Sequence, residues 1–248
     1  MSSATLQQAP EAPEKGNSFG RLIGAIFSPR ETFESIARRP TWLVPIILLC
    51  AVQCAVIGIY GQRVGWRSLL EKQMGANAQF QQLPAAQQQQ RIEVALPYVS
   101  KIAYAEVIIG PFVALFLFAG IFWLIFNMGA GAKIGYRIAM GVVSYSFVPT
   151  IVGSLLGILV LYLKDPSTVD LQNLVATNVA SYLSSEAPAW MHALRLVDVF
   201  LIWEMILLAM GFSAAAPKKL STAGAFAWIF GLWTLVLLCW IGFAAATA

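Results

Sequence analysis

Hydrophobic positions gather into five long apolar runs, separated by links that are polar or basic. The runs cover about residues 42–60, 107–126, 138–163, 194–212 and 223–245. Each holds about 19 to 26 residues, enough at 1.5 Å per residue to cross roughly 30 Å of hydrocarbon as a helix. Period-2 alternation is absent, and in lipid only helices or closed barrels satisfy the backbone. The pattern predicts an all-α integral membrane bundle of five transmembrane helices over residues 41–248. Trp42 and Tyr60 bracket the first run as interfacial anchors do.

Ahead of that run the spacing changes. Residues 1–17 are rich in Ala, Gln, Pro and Glu and lack the apolar core of a signal peptide, so they read as a disordered tail. Over 17–27, Phe19, Leu22, Ile23, Ile26 and Phe27 recur at helical spacing. Ser28-Pro29-Arg30-Glu31 then has the form of a capping box with proline in the first turn. The helix it opens ends near Arg39, before Pro40. Phe33, Ile36 and Ala37 fall on one face, and the charged residues lie mostly elsewhere. Residues 18–40 therefore read as an amphipathic segment lying on the membrane surface.

The links carry the charge. A long polar link over 61–106 contains Gln87-Gln88-Gln89-Gln90 and a helical stretch over 84–99 that leads toward the second run. With the N-terminus in the cytoplasm, the inside links hold nine basic residues: Lys15, Arg21, Arg30, Arg38, Arg39, Lys133, Arg137, Lys218 and Lys219. The longer outside links hold six: Arg63, Arg67, Lys72, Arg91, Lys101 and Lys164. Short basic inside links favour that orientation, with the C-terminus outside.

Composition agrees. The chain is 58% hydrophobic and 11% charged, where a soluble domain carries roughly 25% charged residues. Its net charge of +4 flanks the apolar runs and forms no basic stripe interleaved with aromatics, so no nucleic-acid partner is expected. Cys50, Cys54 and Cys239 lie inside apolar runs and read as small hydrophobes. His192 stands alone, and no metal site or other cofactor is expected.

Polar residues inside the runs are the candidates for chemistry. A charge near a span's centre costs roughly 2.5 to 3.5 kcal/mol on insertion scales. Glu204 therefore needs a partner, a water-filled cavity or a proton. Asp198 lies one turn inside the fourth run, and Arg195, three residues earlier, can reach it on one helix face. The cluster is either a polar site for an ion, proton or lipid headgroup, or a structural clasp between helices. Asp198 and Glu204 lie six residues apart, about 240° around a helix, and form no paired acid/base site. In the third run, Pro149 frees carbonyls near Tyr145 that hydroxyls of Ser144, Tyr145 or Ser146 can re-satisfy. Gly153 and Gly157 form a Gly-x-x-x-Gly pair suited to a close helix contact.

Signatures of enzymes are absent: there is no phosphate-binding glycine loop, no Gly-x-Ser-x-Gly elbow and no His-Glu-x-x-His. Several ordered motifs resemble the membrane domain of bacterial members of the Yip (Ypt/Rab-interacting protein) family. They are Ser28-Pro29-Arg30-Glu31-Thr32-Phe33, Arg39-Pro40-Thr41-Trp42-Leu43-Val44-Pro45, Tyr145-Ser146-Phe147-Val148-Pro149, and Trp203-Glu204 leading to Gly211-Phe212. The resemblance covers about residues 18–245 and implies a five-helix domain with a cytosolic N-terminal segment and no enzymatic reaction. The tail lacks the Asp-Leu-Tyr-Gly-Pro type motif of eukaryotic members, which speaks against binding a Rab-type GTPase.

The expected function is that of a non-enzymatic scaffold or adaptor of the bacterial inner membrane, organising protein partners or lipid. The alternative is a small transporter or channel with Glu204 as coupling group. Partner identity and oligomeric state stay open at this point.

Overall fold

A computed structural model describes residues 17–75, 77–183 and 189–246; residues 1–16 of the expected tail lie outside them. Two short helices open the fold, α1 (Ser18–Phe27) and α2 (Pro29–Arg38). Ser28 between them takes the N-cap place of α2, but its side chain makes no capping hydrogen bond. The expected capping box is therefore not formed, and Pro29, which needs no backbone donor partner, starts the helix instead.

The chain continues through α3 (Leu43–Arg63), α4 (Trp66–Gly75), α5 (Ala78–Gln81) and α6 (Ala85–Leu124). The last of these runs into a π-helical turn ending at Gly129. Then come α7 (Tyr136–Ser146), α8 (Val148–Leu163), α9 (Val199–Ala215) and α10 (Thr222–Ala246). No strand occurs among the described residues; a lone bridge joins Asn178 to Asp198.

Four stretches are long and apolar enough to cross a membrane: Leu43–Arg63, Ala85–Gly129, Tyr136–Leu163 and Thr222–Ala246. The expected fourth span differs. Leu194 to Leu196 belong to a 3₁₀ segment, Ala189–Leu196. The α-helix starts only at Val199 and holds 17 residues, about 26 Å at 1.5 Å each. The second span also differs, because the polar helix expected over 84–99 joins it. The result is one 40-residue helix containing Pro97 and Pro111. The third span is broken at Phe147, where Pro149 sits in the first turn of α8.

Most large buried side chains lie in one core between α2, α6, α7 and α9. Phe33, Phe126, Tyr145 and Phe212 are all buried there, and the Phe126 and Phe212 rings stand 4.7 Å apart. A smaller core joins α3, α4 and α8 through Tyr60, Leu69 and Leu161. Tyr60 is completely buried, so it serves as a core residue and not as the expected interfacial anchor. Around the outside, α10 exposes Trp228, Leu235, Leu238, Trp240 and Phe243. Lipid solvates such a face, which in water would drive association.

The N-terminal pair does not merely rest on the bundle. Phe33 and Ile36 are completely buried, and small residues make room for them. A methyl group on Gly211 would collide with Val142 and lie 2.9 Å from Phe33 Cδ1. One on Gly141 would lie 2.9 Å from Ile36 Cγ2 and 3.3 Å from the Thr41 carbonyl. In lipid, such close van der Waals approach is what holds helices together.

Gly211→Ala should therefore lower stability by about 1–3 kcal/mol through overpacking. A methyl group added to Gly231 on α10 would meet nothing within 4 Å, so Gly231→Ala should leave stability unchanged or raised. The unfolding midpoints of the two variants in detergent check this.

Candidate functional site

Three polar groups are built into the bundle, each by a different pair of elements. The first lies where α1 and α2 meet. α2 must stop before Pro40, and the last carbonyls of any helix lack intrahelical donors. Arg21, buried on α1, brings a donor to this end, beside the Arg39 N–H that already meets the Ser35 carbonyl at 3.0 Å. Its guanidinium donates to the Arg39 carbonyl at 2.9 Å and the Ser35 carbonyl at 3.3 Å. It also reaches Ser35 Oγ at 2.8 Å and Thr41 Oγ1 at 3.1 Å. A cation at a helix C-terminus also meets the negative end of the dipole. Tyr145 extends the network: its hydroxyl lies 3.1 Å from Thr41 Oγ1 and donates to the Ser18 carbonyl at 3.4 Å. By sequence, Arg21 counts only as an inside charge. The signal for its role is its place in the buried stripe of α1 (Arg21, Leu22, Ala25).

The second group is at the start of α9. Asp198 is the N-cap, and its Oδ1 accepts from the backbone N–H of Phe200 at 2.8 Å and Leu201 at 3.2 Å. Its Oδ2 accepts from Thr177 Oγ1 at 2.5 Å. Arg195 is exposed in the 3₁₀ segment before the helix and forms no salt bridge with Asp198. The helical i,i+3 geometry expected of the two does not exist there, because α9 begins after both.

The third group is Glu204, in the second turn of α9. It accepts a hydrogen bond from Thr150 Oγ1 on α8. Thr150 follows Pro149, so the break at Phe147 aims this hydroxyl across the helix interface. The serines near the break do not serve the carbonyl of Tyr145. Ser144 Oγ donates to the Gly141 carbonyl at 3.0 Å and Ser146 Oγ to that of Val142 at 2.9 Å. Tyr145 and Glu204 thus belong to separate networks, while Pro149 positions the Glu204 partner.

Thr150 and Asp198 both line a cavity of about 490 Å³ between α3, α4, α6 and α8, closed by the 171–177 segment and the start of α9. Gln53, Gln73, Glu106, Ser154 and Thr177 supply its other polar walls. Gly153 and Gly157 border it, with Phe200 and Leu174 packed where their side chains would be. No group of three or more His, Cys, Asp or Glu suited to a metal occurs among the described residues.

Several apolar helices of spanning length, packed around these three polar groups, define a multi-span helical membrane protein. The profile of the Yip1 domain matches residues 23–243, and the chain belongs to that family. Over 192 residues it is 28% identical to Membrane protein YknW of Bacillus subtilis (strain 168), covering 77% of this chain and 76% of that protein. No solved structure gives a significant match. The family read from the ordered motifs around Ser28, Pro40, Tyr145 and Trp203 is thereby borne out.

Removing the guanidinium should loosen the N-terminal pair. Arg21→Ala removes the guanidinium donor from the Arg39 carbonyl and from Ser35, whose carbonyl keeps the Arg39 N–H, at a cost of about 1–3 kcal/mol. Amide hydrogen exchange over residues 18–41 should accelerate, while α8 and α10 stay protected. Arg21→Lys should recover only part, since an ammonium cannot span the same oxygens. Unchanged exchange in Arg21→Ala would contradict the assignment.

Proposed function

We propose that the protein is a non-enzymatic scaffold or adaptor of the bacterial inner membrane, with its N-terminus in the cytoplasm and α9 as a fifth crossing. The observation that supports this is the docked pair α1–α2. Its inner face is locked by Arg21 and by the Phe33 and Ile36 contacts. The outer face of α1 presents Phe19, Ile23 and Phe27, which are 64%, 62% and 79% exposed, in a stripe at i, i+4 and i+8 that suits lipid. On α2, Arg30, Glu31, Glu34 and Arg38 face outward. The pair is a fixed platform with an apolar edge for the bilayer and a mixed-charge edge for a protein. An affinity pull-down from detergent tests this. The wild type should recover a reproducible protein partner, and Glu31→Lys/Glu34→Lys should lose it while inserting normally. Recovery of none would sink the proposal.

A second reading keeps a specific observation in its favour. Thr150 both lines the cavity and holds Glu204, so a proton or ion reaching that cavity stands one hydroxyl away from the carboxylate. In that reading the protein is a small transporter with Glu204 as coupling group. Purified protein in liposomes should then drive proton-dependent flux that Glu204→Gln abolishes without loss of insertion. Absence of flux in the wild type rejects it.

A further inference from the structure

The cavity described above does not end at its polar walls. A groove of about 410 Å³ between α4 and α6 adjoins it, and Leu69, Gln73, Ala103 and Glu106 border both spaces. Both have apolar walls, but the cavity gathers more of the polar side chains. The groove is lined along α6 by Val94, Tyr98 and Ile102, one turn apart and 66%, 58% and 64% exposed. Among the apolar walls of the cavity stand amides, hydroxyls and the two carboxylates of Glu106 and Asp198.

Charge in the cavity has one sign. No lysine or arginine is among the described residues that line either space. Lys72, beside Gln73, donates to the Val169 carbonyl. Lys101 stands over the Tyr98 ring at 5.9 Å. Asp198 is held by backbone N–H groups and Thr177, whereas the Glu106 side chain makes no hydrogen bond or ion pair among the described residues. The side chain of Gln53, in the middle of α3, likewise makes none. A carboxylate at the junction of cavity and groove, and an amide in the cavity wall, have no partner in the protein and are open to a donor that carries positive charge.

We propose that cavity and groove together bind an amphiphile with a protonated amine head and an alkyl tail. The amine sits between Glu106 and Gln53, with the negative field of Asp198 behind it, and the tail lies along Val94, Tyr98 and Ile102. A hydrogen bond from ammonium to carboxylate is the stronger, charge-assisted kind. An anionic head would meet two like charges and no cation. Both aminophospholipids of the membrane and free alkyl amines have this chemistry.

The test uses the full chain in a non-ionic detergent and four probes titrated against tryptophan fluorescence, Trp66 being packed against Gly61 close by. The probes are dodecylamine, dodecanol, lysophosphatidylethanolamine and lysophosphatidylglycerol. At least one amine should bind about tenfold more tightly than its amine-free counterpart. Glu106→Gln, an exposed position that leaves the melting temperature unchanged, should erase that difference while leaving dodecanol binding as it was. Preference for lysophosphatidylethanolamine assigns the site to lipid, and preference for dodecylamine alone assigns it to non-lipid amines. Equal binding of all four probes, or an amine preference that survives Glu106→Gln, overturns the proposal.

Discussion

Everything at the N-terminal end of this bundle depends on one guanidinium. α2 is brief and must end where Pro40 forbids continuation, and beyond the Arg39 N–H on the Ser35 carbonyl its end takes its donors from another helix. Arg21 answers with a planar fork that reaches two carbonyls and two hydroxyls from one position. A residue of α1 thereby closes the end of α2, and the two short helices become a single unit. Neither has the length to be stable alone, since isolated helices under about 12 residues are marginal. Tyr145 then fastens the unit to α7, and the bare backbones at Gly141 and Gly211 admit Ile36 and Phe33. The packing needs the register that the hydrogen bonds set, and the hydrogen bonds need the dry surroundings that the packing supplies.

The acids of α9 follow a different rule. Neither Asp198 nor Glu204 forms a salt bridge among the described residues; each is held by a threonine, Thr177 or Thr150. A buried ion pair must recover the desolvation of two charges, whereas a hydroxyl brings a donor with a small desolvation cost. The two carboxylates point in different directions around α9, which explains the different partners. One ties the helix start to the segment after α8, and the other ties the second turn to α8 itself. Pro149 enters through its effect on the backbone. By interrupting the helix at Phe147 it sets the phase of α8, and so decides that Thr150 meets α9.

Much of this was legible in the chain. Run length and the scarcity of charge pointed to an all-helical membrane protein, and the order of weak motifs pointed to its family. The stretches that missed did so for physical reasons. Period and hydropathy carry no information about where a helix starts when the residues before it are equally apolar. The leucines and Val197 ahead of α9 therefore read as span, although Asp198 caps the helix after them. The same blindness joined Arg195 to Asp198. Ser28-Pro29-Arg30-Glu31 has the residues of a capping box, yet the stabilisation of α2 comes from its other end, through an arginine on another helix. Contacts of that kind, separated by 14 to 20 residues, leave no local pattern. A basic residue amid the apolar stripe of α1 was the one trace of it.

The two halves of the molecule meet in α9. Its start borders the cavity through Asp198 and Phe200, its second turn holds Glu204, and its last turns carry Gly211 and Phe212 against α2 and α6. The neighbouring path through α8 and α7 is interrupted at Phe147, where the backbone leaves helical geometry. An unbroken helix transmits displacement along its axis with little loss, while a break absorbs it. The same helix thus runs from the cavity wall to the Gly211 contact with Phe33, where the close-packed interior leaves no room for an added methyl group. The N-terminal pair is held there by directional hydrogen bonds. Close packing at Gly211 and the hydrogen bonds of Arg21 thus join α9 and the N-terminal pair into one continuous structure.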